Sequence, residues 1–458
     1  MNRGKRKPAR LVLGGILMGA LLVLASCASS APAGSSSTTS QGGGLAVPKG
    51  KLPALQGSTF TYWYGLIFSD AANQTEANQI KAWGRLHHIN VDPVPVNQND
   101  TVTKVSAALV AHTMPDALDM GDGFAIQLKS SGALENITAL KNQIGSANGG
   151  WLSDAGTKQT DPAWALGVPY GASGNLLARR TDVLNPLGLT KAPETWAQVV
   201  SESEKAQNPP NTYGMGWGFS KVGDSEGWVE AVLHDYGVRI ANNAGTTCTL
   251  DTQATRNAVS FLANAAAKGL MPPGSNVWDG AGNNLAYESG KVLFTEDTGS
   301  IYMALKPGST LQTGTALSTF PGGPKMRVEV AGSQVRTIPT QSKNKVLAES
   351  LIQYLEQPKN LEAYYKSAIY GPVLKNELKF PVFNNPSQDT VHAALKQLAL
   401  TGTTGAYPDK NNAAYSQFSN TFQASLMVQA VVVNHESVDQ AVTHAQAACQ
   451  QIYSQAGG

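Results

Sequence analysis

The chain has 458 residues, a formal net charge of +2 and only 14% charged residues, against a usual ~25%. Its basic residues form no block beyond the first ten positions, which argues against nucleic acid as a partner. Of the three cysteines, Cys27, Cys248 and Cys449, at least one cannot be in an internal disulfide.

Arg3, Lys5, Arg6, Lys7 and Arg10 precede an uncharged stretch from Leu11 to Ser26. Basic, apolar, then small residues make the layout of a secretory signal. The apolar run is too short for a permanent span, which needs ~20 residues. Leu24-Ala25-Ser26-Cys27 resembles a bacterial lipobox, which implies removal of residues 1–26 and lipid on Cys27. The competing reading is an ordinary signal cut near a chance cysteine. Each buried CH₂ of an acyl chain contributes ~0.8 kcal/mol, so several chains would hold the protein on the extracytoplasmic face of the cell membrane. Residues 27–57 then form anchor and tether: "SSAPAGSSSTTSQGGG" cannot bury enough surface to order itself.

About 400 residues remain, more than one core usually organises, so two lobes are expected. "TFTYWYG" (59–65) reads as a strand. Ser69-Asp70 caps a helix whose apolar stripe runs through Ile80 and Trp83 towards Leu86. "INVDPVPV" (89–96) is a strand that Pro93 and Pro95 demote to a sheet edge. Val102, Val105 and Leu109 have helical spacing, and "PDALDM" (115–120) returns to a strand stopped by Gly121-Asp122-Gly123. Two βα units and a strand predict an α/β lobe with a largely parallel sheet, whose ligand crevice lies at the carboxyl ends of its strands. Residues 164–200 read as a strand pair with a polar turn, then an N-capped helix. A strand from Lys291 to Thr295 leads into a turn at Asp297-Thr298-Gly299 that opens a helix. "STFPGGPKMRVEVAGSQVRTIPTQSKN" (318–344) reads as strand, loop, strand, followed by the amphipathic helix "KVLAESLIQYLEQP". Cys248 and Cys449 either pair, closing a loop that would stabilise the fold by roughly 5 kcal/mol in the chain-entropy model, or lie buried apart.

Several stretches, in this order and spacing, carry a resemblance: Gly167-Val168-Pro169-Tyr170 before "NLLARRTD", "APETWAQVV", "YESGKVLFTEDTGS", "FPGGP", "VAGSQVRTIPTQSKN", "YGPVLKN" and "ESVDQAVTHAQAACQQI". Together they resemble the extracellular solute-binding proteins of carbohydrate importers, the group that includes maltose-binding protein. The resemblance implies an α/β fold of the two-lobe periplasmic-binding-protein type (type II), with a hinge and an interlobe ligand cleft. Residues 58–167 and 331–371 would form the first lobe, and 168–330 and 372–458 the second. The crossings would fall near Gly167-Val168-Pro169, Val330-Ala331-Gly332 and Tyr370-Gly371-Pro372. The resemblance also implies a monomer that delivers sugar to an ATP-driven membrane permease. Many relatives carry Gly-Pro-Trp where this chain has Thr298-Gly299-Ser300, so an aromatic platform is missing there.

Reactive constellations are sparse. None of the seven histidines falls in a metal-ligand spacing, and there is no G-x-S-x-G elbow or P-loop. Glu288, Glu296 and Asp297 could be imagined as glycosidase carboxylates, but the resemblance makes them strand and turn residues. The expectation is a binder without cofactor or metal, not an enzyme; the alternatives are a surface sensor or adhesin, or a binder of another small polar solute. Sugars present apolar C–H faces and a rim of hydroxyls, so aromatics beside carboxylates and amides are the candidate ligands. Those residues are Trp63, Tyr64, Asp122, Tyr170, Trp217, Trp228, Trp278, Asp279, Asp297, Thr298, Gly332 and Tyr407. A charged ligand would need a cluster of Arg or Lys in the same loops, and Arg179-Arg180 lies beyond them. An uncharged carbohydrate is the expected ligand.

Overall fold

A computed structural model describes residues 51–67, 69–152, 165–384, 390–403 and 406–456. The signal, Cys27 and most of the tether lie outside the described residues. Among the described residues there are nine strands: β1 Phe60–Leu66, β2 Val91–Asn97, β3 Ala117–Gly121, β4 Val168–Ser173, β5 Leu176–Arg180, β6 Tyr213–Met215, β7 Val292–Asp297, β8 Thr315–Thr319 and β9 Gly332–Thr337. They form two sheets, ordered β2-β1-β3-β9-β4 and β6-β7-β5-β8, each the centre of one lobe.

In the first lobe β1 pairs in parallel with β2 and β3, while β9 runs antiparallel to β3 and β4. Alternation decides the faces of β1: Phe60 and Tyr62 are fully buried, and Thr61 and Trp63, which alternate with them, are half-buried. The two prolines of β2 are tolerated because β2 is an edge strand. Ser69 caps the helix Asp70–His87, its hydroxyl accepting the Ala72 N–H at 3.4 Å. That helix buries Ile80 and Trp83, but Leu86 is exposed, one turn past the stripe's contact with the sheet. The second lobe's core gathers Trp196, Trp217, Trp228, Phe219 and Phe320 with the Cys248–Cys449 disulfide, whose Cα atoms are 5.8 Å apart across a separation of 201 residues. No helix among the described residues is long and apolar enough to cross a membrane.

The interlobe connections differ from the sequence expectation. Residues 164–180 are not a strand pair: β4 joins the first sheet through β9, and β5 joins the second through β7 and β8. The first crossing is therefore Gly174-Asn175, not Gly167-Val168-Pro169. The second runs through Val330-Ala331, immediately before β9. The third moves from Tyr370-Gly371-Pro372 to Gly402-Thr403, because Val373, Leu374, Phe380 and Phe383 still pack in the first core, whereas Ala406 onward packs in the second. The three crossings lie side by side. Ala331 N–H donates to Thr403 O at 2.7 Å, and Thr403 N–H to Glu329 O at 2.8 Å. A Cβ on Gly174 would sit 1.9 Å from Val330 O, and one on Gly402 would sit 2.5 Å from Ala331 Cβ, so only glycine lets the three backbones approach this closely.

A buried charge cluster ties β9 into the first lobe. The Arg336 guanidinium donates to Glu76 at 2.5 Å, Glu356 at 2.8 Å, Asp119 at 3.1 Å and the Tyr62 hydroxyl at 3.1 Å, and it lies 4.0 Å from the Tyr170 ring centroid. Tyr62 in turn donates to Asp119. Burial pushes the Asp119 carboxyl well above the usual carboxylate range, although the guanidinium pulls it down; burial likewise lifts Glu356 to about 7.

Candidate functional site

The cleft between the lobes is walled by the carboxyl end of β3, by the crossings and by two helices of the second lobe, Gly223–Asp235 and Ala413–Asn420. Asp122 follows directly on β3 and opens the helix Asp122–Ser130, where a carboxylate suits the positive end of the helix dipole. The backbone N–H groups of Gly123 and Ser333 beside its carboxylate favour the ionised form. Burial pushes its pKa up to about 6 despite them. Gly332, on the second crossing, lies beside it: a Cβ there would be in ordinary contact with Asp122 Oδ1, at 3.5 Å.

Asp122 lines a cavity of about 180 Å³ shared by both lobes, with Asn175 and Val330 of the crossings and Glu230, Asn411, Tyr415, Ser416, Ser419 and Asn420 of the second lobe. A second cavity of about 250 Å³ adjoins it through Gly123 and Asn420 and is lined on the first-lobe side by Gln98, Thr101, Asp119, Phe124 and Gln334. No lysine or arginine among the described residues lines either cavity. The lobes touch at both flanks. Asn420 Nδ2 donates to Gln127 Oε1 at 3.1 Å, and the Gly299 turn lies against Ile369 and Val391.

Of the sequence-predicted ligands, Asp122 and Gly332 meet at this cleft. The aromatics do not. Trp217 and Trp228 stack with centroids 5.2 Å apart inside the second core, so their faces are already taken. Tyr170 is fully buried beneath Arg336. Tyr64 is 7% exposed, and Trp63 packs half-buried beside the Val105–Leu118 cluster. Trp278 and Asp279 line two pockets of the second lobe, a small one with Asp224 and Glu296 and an open one of about 580 Å³ with Tyr213 and Pro272, Trp278 resting on Gly282. Asp297 is 2% exposed and spends Oδ1 on its own turn, accepting from Ser300 Oγ at 3.0 Å and Ile301 N–H at 3.1 Å, with Thr298 half-buried beside it. Tyr407 is 47% exposed and does not line the cavity, although its neighbour Ala406 does.

What sequence reasoning missed is the polar wall of the second lobe. Glu226, Glu230 and His234 recur at i, i+4 and i+8 in the helix Gly223–Asp235 and are all buried, which marks a buried polar stripe. Ser416, Ser419 and Asn420 likewise share one face of the helix Ala413–Asn420. The site is therefore one of hydroxyls, amides and three carboxyl groups, Asp122, Glu230 and Asp119, able to hydrogen-bond a compact polar solute. Among the described residues no group of His, Cys, Asp and Glu is arranged to hold a metal.

Comparison with known proteins agrees with this architecture. Solved structures with the same fold include maltose-bound MalE3 of T. maritima, at a TM-score of 0.75 and 18% identity over 86% of this chain and 99% of that one. An ABC transporter solute-binding protein of Thermotoga Lettingae TMO bound with alpha-D-tagatose aligns with a TM-score of 0.73 and 18% identity, over 87% of this chain and all (100%) of that one. The GacH receptor of Streptomyces glaucescens GLA.O, solved unliganded and with acarbose, aligns at 0.72 and 17%, over 86% and 98%. No curated protein gives a match. The profile of bacterial extracellular solute-binding proteins matches residues 78–394, well over half of the chain; a two-lobe solute binder rather than an enzyme, the chain belongs to that family.

Proposed function

We propose that this protein is the lipid-anchored receptor of an ABC import system, which captures an uncharged sugar or oligosaccharide between its lobes and passes it to a membrane permease. The observation that carries this reading is the pair of interlobe cavities, lined by amides, hydroxyls and carboxylates without a lysine or arginine among the described residues. Such a lining suits hydroxyl groups and repels anions. The neighbouring folds include proteins crystallised with maltose, tagatose and acarbose, which supports carbohydrate as the class. The crossings support a closing motion, since three adjacent backbones with glycines at Gly174 and Gly402 concentrate rotation in a few residues. Few aromatics face the cavities, so sugar is held by hydrogen bonds more than by ring stacking.

The test is a thermal-shift screen against neutral mono-, di- and trisaccharides. A sugar at a hundred times its dissociation constant should stabilise the protein by ~2.7 kcal/mol, and the same sugar should reduce the radius of gyration in X-ray scattering. A panel without a single shift would refute the carbohydrate reading. For the anchor, Cys27→Ala should abolish incorporation of labelled palmitate; unchanged labelling would remove Cys27 as the lipid site.

A further inference from the structure

We infer that Gln334 sets specificity in the first-lobe cavity: its carboxamide takes two adjacent hydroxyl groups of a neutral sugar, one donating to Oε1 and one accepting from Nε2. This role rests on the cleft being the carbohydrate site. Among the described residues, five polar side chains line the cavity of about 250 Å³: Gln98, Thr101, Asp119, Gln334 and Asn420. Four of them are engaged. Gln98 Nε2 donates to the Tyr370 hydroxyl at 2.9 Å, the Thr101 hydroxyl to Asn97 O at 3.2 Å, and Asn420 Nδ2 to Gln127 Oε1 at 3.1 Å. Asp119 is taken by Arg336 and Tyr62. The Gln334 side chain alone has no hydrogen-bond partner among the described residues.

Gln334 is half-buried and keeps accessible surface, unlike Asp119 and Arg336 two residues further along the same strands. Strand β9 holds it opposite Gly121 of β3 and Gly171 of β4. Cross-strand neighbours normally cover each other, and here both are glycines. Gly171 makes room for Tyr370, since a Cβ there would be 2.7 Å from Tyr370 Cγ. Gly121 has no such neighbour: a Cβ there would meet only Gln334 Nε2, at 3.9 Å. Its φ of −68° and ψ of 146° are open to any residue, so backbone freedom does not call for glycine either. What glycine does at this position is leave the Gln334 amide uncovered, at the carboxyl end of β3 where the cavity opens. A carboxamide sets an acceptor and donors side by side without a charge, which matches two neighbouring hydroxyls of a sugar. Polar groups drawn out of water normally find a partner, and the partner left for this one is the solute.

The experiment titrates the full-length protein by calorimetry with the tightest-binding member of the neutral mono- to trisaccharide panel, and with the monodeoxy analogues of that sugar. Wild type should lose about three- to tenfold in affinity for each of two analogues that lack neighbouring hydroxyls. Gln334→Ala should bind the parent sugar at least about tenfold more weakly and bind those two analogues within about twofold of the parent, with the apo melting temperature unchanged. Gln334→Met, which fills similar space without a hydrogen bond, should behave as the alanine variant does. Wild-type affinity in Gln334→Ala, affinity recovered in Gln334→Met, or variants that still discriminate against the same two analogues would each overturn the inference while leaving the carbohydrate reading standing. If no sugar binds the wild type, the carbohydrate reading fails and takes the inference with it.

Discussion

Replacing Arg336 with methionine is expected to lower the unfolding free energy at pH 7 by roughly 3–5 kcal/mol, the usual consequence of removing one partner from a buried ion cluster. Glu76, Asp119 and Glu356 are each within 5% of full burial, and all three depend on one guanidinium. They also belong to three different parts of the first lobe: the helix Asp70–His87, strand β3, and the end of the helix Lys345–Leu355. Losing Arg336 therefore strands three carboxyls and unties β9, a strand that joins this sheet only after the chain has passed through the second lobe. The deficit should shrink on acidification. Asp119 and Glu356 already have folded pKa values raised by burial. A raised group contributes stability that is present below its unfolded pKa and lost as pH rises through the folded one, and without Arg336 the raising is greater. Denaturant titrations at pH 5 and pH 7.5 measure both effects. An unchanged midpoint at both would mean that packing around Tyr62 and Tyr170, not charge pairing, holds this region.

Much of the first lobe was legible because its signals are local. Alternation in β1, the Ser69 cap and the prolines of β2 each act within a few residues, and each appears where its chemistry points. The crossings were not legible in the same way. Gly167 and Gly174 are both glycines in a Pro- and Gly-rich stretch, and both exist for close backbone approach. A Cβ on Gly167 would meet Arg336 O at 2.7 Å inside one sheet, whereas a Cβ on Gly174 would meet Val330 O between lobes. Only the partner distinguishes packing from hinge, and the partner is more than 150 residues away. The tryptophans misled for a related reason. Ring-rich loops after a strand suit both a sugar platform and a core, and Trp217 and Trp228 satisfy each other by stacking. Glu230 was hidden among apolar neighbours, although the repetition Glu226, Glu230, His234 is a helical-period signal that composition alone does not reveal.

Asp122→Ala should weaken binding of the neutral sugar roughly tenfold to a hundredfold, equivalent to the ~1.5–3 kcal/mol of a charge-assisted hydrogen bond, while leaving the apo protein at least as stable at pH 7. The two halves of this expectation have one cause. The carboxylate lines the cavity, and it stays ionised at neutral pH because its pKa is raised only to about 6, the nearby Gly123 and Ser333 N–H groups offsetting part of the effect of burial. Burial makes that ionised form unfavourable in the apo state. The stability associated with Asp122 is present below the ordinary carboxylate range and is lost as pH rises through about 6, so at pH 7 its removal relieves a desolvated charge. A residue that is mildly costly to the empty protein and valuable to the complex is one retained for its ligand. Asp122→Asn, which keeps an acceptor but not the charge, should fall between wild type and alanine in affinity. Calorimetry with the sugar and melting curves without it separate the two roles. Wild-type affinity in the alanine variant would remove Asp122 from the site; a drop in apo melting temperature with affinity unchanged would make it only an anchor for the Gly123 and Ser333 backbone.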